Sequence, residues 1–180
     1  MLFRSLRGGA KLLLSVLAGT TIDSLKDNIP SQSVVRAMPN LAASVGKSMT
    51  TITGDIGSKS TVDIILGAIG KTLWLDSEKE IDVATALAGS GPAYLALIAE
   101  ALADGAVKEG LKREYAMSIM RGLFDGFGTL IQDTHPALLK DGVMSPAGTT
   151  AYGYSALEDG GVRASCMDAI KRACDRAKSL

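Results

Sequence analysis

Apolar and polar positions change their spacing near residue 78, and the change predicts two kinds of structure. Before residue 78, short apolar runs alternate with short helical patterns. The predicted elements are strands at 12–18, 33–38, 48–53 and 71–76, and helices at 21–29 and 61–70. Strands that alternate with helices are typical of an α/β sheet.

Cap residues mark the two helices of this part. Thr20 or Thr21 is the predicted N-cap of the first helix. Ser60 is the predicted N-cap of the second helix, and Gly70 its end.

After residue 78 the pattern is almost purely helical. The predicted helices lie at 78–89, 91–110, 112–134, 136–142, 149–160 and 162–180. The second begins with Ser90 as N-cap and Pro92 in its first turn, and Gly110 stops it. Several of these helices are apolar on more than one face and must be covered. A helical domain of about 100 residues cannot bury that much alone, so we expect a partner chain.

Composition narrows the classes of function. Lys plus Arg and Asp plus Glu number 19 each, so the chain lacks the basic excess of a nucleic-acid-binding protein. No apolar run approaches the ~20 residues that span a bilayer, so we expect no membrane partner. One histidine and two distant cysteines, Cys166 and Cys174, cannot form a standard zinc site, so no metal is expected. The two thiols are expected to be free, as in a reducing compartment.

The N-terminus allows two interpretations. Arg4, Arg7 and Lys11 precede a short apolar run, as in a weak signal or transit peptide. The alternative is a buried strand at 12–18, which we prefer because the run is short. We therefore expect a cytoplasmic protein, with a mitochondrial location as the alternative.

Two glycine-containing turns are candidate anion sites. Gly89, Ser90 and Gly91 precede a helix whose first N–H groups are unpaired, although a tight connection between helices explains them equally well. They are not a dinucleotide fingerprint, because a helix precedes them and Tyr94 replaces the third glycine.

The second turn is SPAGTT, residues 145–150. Ser145 is a candidate N-cap, and Gly148 allows close approach to the backbone. The N–H groups of Gly148, Thr149 and Thr150 suit a carboxylate, and a threonine hydroxyl suits a nitrogen that changes protonation. A simple helix cap explains Ser145 equally well, but explains the paired threonines less well.

Two further residues stand near predicted element ends. Asn40 follows a strand and Pro39, where a ligand carboxamide is one interpretation and an ordinary turn the other. His135 precedes Pro136, and we favour a helix cap over acid–base chemistry.

Three segments together resemble pyrroline-5-carboxylate reductases. They are RAMPN at 36–40, DVATALAGSGPAYLALIAEALADGAVKEGL at 82–111 and HPALLKDGVMSPAGTTAYGYSALEDGGVRA at 135–164. The resemblance implies the reduction of 1-pyrroline-5-carboxylate to L-proline by NADPH or NADH. It implies residues 1–77 as the C-terminal remnant of a Rossmann-type dinucleotide-binding domain. Residues 78–180 would be an all-α dimerisation and substrate domain, in a chain that is mostly helical and forms a homodimer or a higher homo-oligomer.

The resemblance also implies the roles of individual residues. Thr150 would be catalytic, at the ring nitrogen of the substrate. The implied substrate-binding residues are Glu78, Ser90, Gly91, Ser145, Gly148, Thr149 and Thr150. The implied cofactor-binding residues are Ala18, Met38, Pro39, Asn40 and Gly142.

Several positions depart from the family pattern. The glycine-rich phosphate-binding turn is missing, so we expect a chain truncated at its N-terminus that binds NADPH weakly. Gly142 replaces an asparagine, Ala147 a glycine and Tyr154 an aliphatic residue. The alternatives to a reductase are a non-catalytic helical oligomerisation module and an inactive fragment.

Overall fold

The sheet is mixed and has four strands in chain order. The computed structural model describes residues 9–177, so the first eight residues of the possible targeting segment lie outside the described residues. The strands are β1 (Leu13–Ser15), β2 (Val34–Met38), β3 (Ser48–Gly54) and β4 (Gly70–Trp74). β1 pairs parallel to β2, β2 antiparallel to β3, and β3 parallel to β4. All four predicted strands are confirmed.

The connections between strands follow from this pairing. Helix α1 (Ile22–Asn28) joins β1 to β2, and helix α2 (Lys59–Gly67) joins β3 to β4. Both are crossovers between parallel strands, which need a longer connection than antiparallel strands do. A short 3₁₀ turn, Leu41–Val45, joins the antiparallel strands β2 and β3.

One predicted cap is correct and another is wrong. The Thr21 hydroxyl accepts a hydrogen bond from the Ser24 N–H, 3.1 Å away, and caps α1. Ser60 does not cap α2, because this helix continues from a 3₁₀ turn whose own cap is Asp55. Gly70 does not end α2 but begins β4 at a φ of +147°.

The hydrophobic core lies on one face of the sheet. Val35, Ala37 and Ile52 point to this face and pack against Val62 and Leu66 of α2. Residues that alternate with them point to the other face, which carries the buried Val34 together with several buried polar side chains. There Arg36, Thr51 and Thr53 are buried, and Arg36 lies opposite Thr53 in the ladder.

Helix α3 (Glu78–Ala84) begins with a capping box formed by Ser77 and Glu80. It continues through a π-helical turn, Thr85–Gly89, into α4 (Gly91–Lys108). Ser90, at the junction, has helical φ and ψ of −86° and −23°. The prediction of Ser90 as an N-cap is therefore wrong, because one helix runs from Glu78 to Lys108.

The sequence predicts no segment long and apolar enough to span a bilayer, and this continuous helix of 31 residues corrects that expectation. By length and composition alone it is apolar enough to cross a membrane, with a mean hydropathy of 1.4 in its most apolar stretch. Only 11% of that stretch is buried within the chain. An exposed apolar surface of this extent is typical of a site that contacts another protein chain or a membrane.

The later helices are α5 (Arg113–Leu130), α6 (Pro136–Val143), α7 (Thr149–Asp159) and α8 (Val162–Ala177). Gly110, at a φ of +102°, ends the long helix as predicted. The prediction of His135 as a cap is confirmed, since its Nδ1 accepts from the Ala137 N–H at 3.2 Å.

Within the described residues, the chain forms two compact units. One contains residues 9–93 and 168–177, and the other is Tyr94–Met167. The predicted domain boundary between residues 77 and 78 stays a prediction.

Replacing Gly70 with alanine is expected to destabilise the first unit by about 3 kcal/mol or more. A Cβ at this position would stand 2.2 Å from the Ser48 carbonyl oxygen, at a φ that L-residues avoid. Urea unfolding followed by the fluorescence of Trp74, the one tryptophan, measures the loss. Gly67→Ala is the matched control, because nothing lies within 4 Å of its Cβ position. Equal stability of the two variants would contradict this account of Gly70.

Candidate functional site

A cavity of about 210 Å³ lies in the first unit, beyond the carboxyl ends of the parallel strands β1 and β2. Ligands of open α/β sheets bind at this edge. The cavity is lined by Ala18, Gly19, Arg36, Met38, Asp82, Thr85, Ala86, Ser90, Ala173, Arg176 and Ala177. Three residues with an implied role, Ala18, Met38 and Ser90, therefore share one cavity.

The side chain of Arg36 is a buried, charged part of the lining of this cavity. It is only 4% exposed. Its Nη1 donates to Glu78 Oε1 at 2.6 Å, and its Nη2 donates to Asp82 Oδ1 at 3.2 Å. Because a buried charge needs a partner, these ion pairs allow β2 to carry an arginine.

Glu78 joins three elements through one oxygen. Its Oε1 accepts from Arg36 on β2 and from the Ile22 N–H at the start of α1, 2.9 Å away. Glu78 itself is the first residue of α3. The carboxylate therefore fixes the turn at Ala18 and Gly19, which lies between β1 and α1.

The carboxamide of Asn40 is engaged within the protein. Its Oδ1 accepts from the Ala42 N–H at 3.1 Å, and its Nδ2 donates to the Ala88 carbonyl at 3.0 Å. The Asn40 N–H donates to the Ser48 hydroxyl. The side chain thus links the end of β2 to the π-helical turn.

The π-helical turn carries Ser90 to the cavity. The Ser90 N–H donates to the Thr85 carbonyl, five residues back, at 3.1 Å. The Thr85 hydroxyl donates to the Ile81 carbonyl at 2.7 Å. Gly91, at the start of α4, has open space at its Cβ position.

In the second unit, Ser145 to Gly148 form a tight turn. The Gly148 N–H donates to the Ser145 carbonyl at 3.0 Å, across Pro146 and Ala147. Ala147 has a φ of +57°, as the third residue of a type II turn requires. Gly148 is the N-cap of α7 without any side-chain cap, so the prediction of Ser145 as N-cap is wrong.

The first two residues of α7 present backbone donors. Thr149 and Thr150 are exposed, and no acceptor within residues 9–177 receives their N–H groups. The Gly148 N–H is already used by the turn. Two donors and the Thr150 hydroxyl therefore face outward, and Gly142 lies exposed near the end of α6.

Sequence reasoning missed Arg36, Asp82 and Thr85. A signal existed for Arg36, because an arginine inside an apolar strand must find a buried partner. The partners Glu78 and Asp82 lie more than 40 positions away and leave no local trace. Among residues 9–177, no group of three or more His, Cys, Asp and Glu side chains is arranged to hold a metal ion.

A second charged cluster links α7 to α8. Arg163 contacts Glu158, and its Nη2 donates to the Tyr154 hydroxyl at 2.6 Å. The Tyr154 hydroxyl donates to Glu158 Oε1 at 2.7 Å. The Arg163 and Tyr154 hydrogen bonds lower the pKa of Glu158 from 4.5 to about 2.

Replacing Glu78 with glutamine is expected to cost more stability than replacing Asp82 with asparagine. Glu78→Gln weakens the shorter ion pair of a buried arginine, at a cost of about 2 kcal/mol. Asp82→Asn removes the longer contact, at a cost of about 1 kcal/mol or less. Urea unfolding monitored by Trp74 fluorescence compares the two. Equal losses would show that Glu78 does not dominate the compensation of Arg36.

The carboxyl group of Glu158 is expected to titrate near pH 2 in the folded chain. Because its folded pKa is depressed, its stabilising contribution is present above about pH 4.5 and is lost as the pH falls toward 2. Carboxyl ¹³C NMR measures the midpoint. Arg163→Gln should raise it, whereas Arg172→Gln, which breaks a pair with Asp168 on α8, should not. A midpoint unaffected by Arg163→Gln would contradict this assignment.

Comparison with protein families identifies one match. The pyrroline-5-carboxylate reductase dimerisation family matches residues 78–180. The chain is 41% identical over 176 residues to pyrroline-5-carboxylate reductase of Arabidopsis thaliana, across 94% of this chain and 63% of that protein. It is 39% identical over 184 residues to that of Synechocystis sp., across 98% of this chain and 68% of the relative.

Solved structures agree with the sequence comparison. The pyrroline-5-carboxylate reductase of Coxiella burnetii superimposes with a TM-score of 0.87 at 34% identity, covering 93% of this chain and 65% of that one. The Plasmodium falciparum pyrroline carboxylate reductase with NADP bound gives a TM-score of 0.85 at 31% identity, covering 93% and 69%. The chain thus spans about two thirds of the length of these relatives. The sequence and the fold together show that this chain belongs to the pyrroline-5-carboxylate reductase family.

Proposed function

We propose that this chain takes part in the NAD(P)H-dependent reduction of 1-pyrroline-5-carboxylate to L-proline. Membership of the family supports the reaction class. One observation supports the assignment of individual residues. Ala18, Met38 and Ser90 line one cavity at the carboxyl ends of β1 and β2. Ligands of this fold class bind at that edge.

The cavity fits the nicotinamide end of the cofactor. Small residues, Ala18, Gly19 and Ala86, leave room for a flat ring, and Met38 offers an adaptable apolar contact. The Plasmodium relative was solved with NADP bound. When bound, the nicotinamide supplies a hydride to the carbon of the substrate C=N bond. We assign its contacts to Ala18, Met38, Pro39, Asn40 and Gly142.

The substrate carboxylate is assigned to the start of α7. The free N–H groups of Thr149 and Thr150 and the positive end of the helix dipole attract an anion. The Thr150 hydroxyl can both donate and accept a hydrogen bond. It can therefore bind the ring nitrogen of the substrate with or without a proton. Gly148 shapes the approach, since a Cβ there would stand 2.4 Å from the Ser145 hydroxyl.

The remaining assigned residues act through position and charge. Ser90 contributes a hydroxyl to the cavity, next to Gly91. Glu78 holds the Ala18 turn through Ile22 and Arg36. Positioning and electrostatics can therefore support hydride transfer without a strong base.

We further propose a homodimer built by the helical part. Large apolar side chains on α4 and α5 are exposed in the single chain. They include Leu95, Leu97, Leu102, Ile119, Leu123 and Phe127. The dimerisation family matches this part of the sequence. A second copy that covers these faces would remove them from water. The free thiols Cys166 and Cys174 suit a reducing compartment such as the cytoplasm.

Replacing Thr150 with alanine is expected to lower kcat/KM for pyrroline-5-carboxylate by about 100-fold, because the hydroxyl that hydrogen-bonds the ring nitrogen is lost. NADPH oxidation by the 180-residue chain is the measurement. The matched control is Ser155→Ala, five residues further along α7. Among residues 9–177 its hydroxyl contacts only Asp159, at 3.4 Å, and activity should stay within about twofold of the wild type.

Three outcomes of this assay have different meanings. Selective loss in Thr150→Ala supports both the reaction and the substrate site. Equal activity of Thr150→Ala and Ser155→Ala overturns the substrate site. A wild-type chain that sediments as a folded dimer without turnover overturns the reductase proposal and favours an oligomerisation module.

A further inference from the structure

A proline inside the continuous helix leaves one carbonyl without its helical donor. In an α-helix the carbonyl of Ala88 would accept from the N–H of residue 92. That residue is Pro92, which has no N–H. The helix nevertheless continues through this point, from Glu78 to Lys108.

Asn40 supplies the missing donor from another element. Its Nδ2 lies 3.0 Å from the Ala88 carbonyl oxygen. The other end of the carboxamide accepts from the Ala42 N–H, and the Asn40 backbone donates to Ser48. The Asn40 carbonyl also accepts from the Ala43 N–H at 3.0 Å. Three other hydrogen bonds therefore fix the residue that carries the donor.

The Asn40 bond reaches the long helix within its π-helical turn. Turns of this kind are rare and occur often at functional sites. Here the turn spans Thr85–Gly89 and places Ser90, with Thr85 and Ala86, against the cavity. Ala88 stands two residues before Ser90. The Asn40 bond thus fixes Ser90 relative to Met38, which lies at the end of β2 on the same cavity.

From this geometry we infer that Asn40 is a positioning residue, which orients Ser90 through the Ala88 carbonyl and replaces the hydrogen bond that Pro92 removes. The inference deepens the proposed function and rests on it for the importance of the cavity. It gives the Asn40 carboxamide a positioning role in addition to the cofactor contact assigned to this residue.

Hydrogen exchange of the unliganded chain tests the bond without reference to activity. Asn40→Asp keeps an acceptor for Ala42 but loses the donor to Ala88 and sets a carboxylate against the carbonyl. We expect amides of residues 85–91 to exchange roughly tenfold faster, as the loss of one hydrogen bond predicts. Ser44→Ala is the control, because it removes a bond to Leu41 within the neighbouring 3₁₀ turn and should leave 85–91 unchanged.

A substitution of Pro92 provides a rescue. Pro92→Ala restores a backbone N–H to pair with Ala88. In this background Asn40→Asp should accelerate the exchange of residues 85–91 by less than about twofold. An equal acceleration in both backgrounds overturns the inference, as does an unchanged rate in Asn40→Asp alone.

Kinetics then separate positioning from direct contact. If Asn40 acts through Ser90, the Asn40→Asp and Ser90→Ala losses in kcat/KM are non-additive, and the double variant resembles the more impaired single variant. Losses that multiply fully would show that Asn40 acts independently of Ser90 and would overturn the inference. A wild-type chain without turnover would refute the proposed function, while hydrogen exchange would still decide the role of Asn40.

Discussion

The buried guanidinium of Arg36 is the constraint around which the first unit is arranged. A buried charge on a strand has to be compensated, and Glu78 and Asp82 compensate Arg36 from one turn of α3. Their spacing of four residues places both on the same side of that helix. The Ser77 capping box sets where α3 begins, and the pairing with Arg36 favours one rotation of this helix about its axis. Because Glu78 also holds Ile22, the same charge fixes the entry into α1.

This arrangement makes the cavity a product of electrostatics as much as of apolar packing. The apolar core lies on the other face of the sheet, between the strands and α2. On the cavity face, the ion pairs of Arg36 join β2 to α3, beside buried apolar residues such as Val34 and Ala86. Such a polar face specifies a geometry through its satisfied groups. Here the two Nη atoms of Arg36 are paired, whereas its Nε and the Thr51 hydroxyl are buried without a hydrogen-bond partner.

The sequence was sufficient for elements whose signals are local. The strands, the Thr21 cap, the Gly110 stop and the His135 cap follow from neighbouring residues. The sequence Ser-Gly-Pro is typical of a helix start, which is why it predicts a new helix at Ser90. No neighbouring residue reveals that Asn40, 48 positions away, donates to the Ala88 carbonyl of a helix that continues through this point. Ser60 failed as a cap because α2 grows out of the preceding 3₁₀ turn. Resemblance to relatives indicated Ala18, Met38 and Ser90, whereas Arg36 became evident only through its partners.

The alanine in the turn before α7 has a consequence for how firmly that turn is formed. At Ala147 the positive φ costs about 1–2 kcal/mol. A cost of 1 kcal/mol lowers the population of a conformer about fivefold. Pro146 offsets part of it, since its ring restricts the alternatives open to the chain. An anion at Thr149 and Thr150 would select the turned conformer, so part of its binding free energy would be spent on ordering the loop.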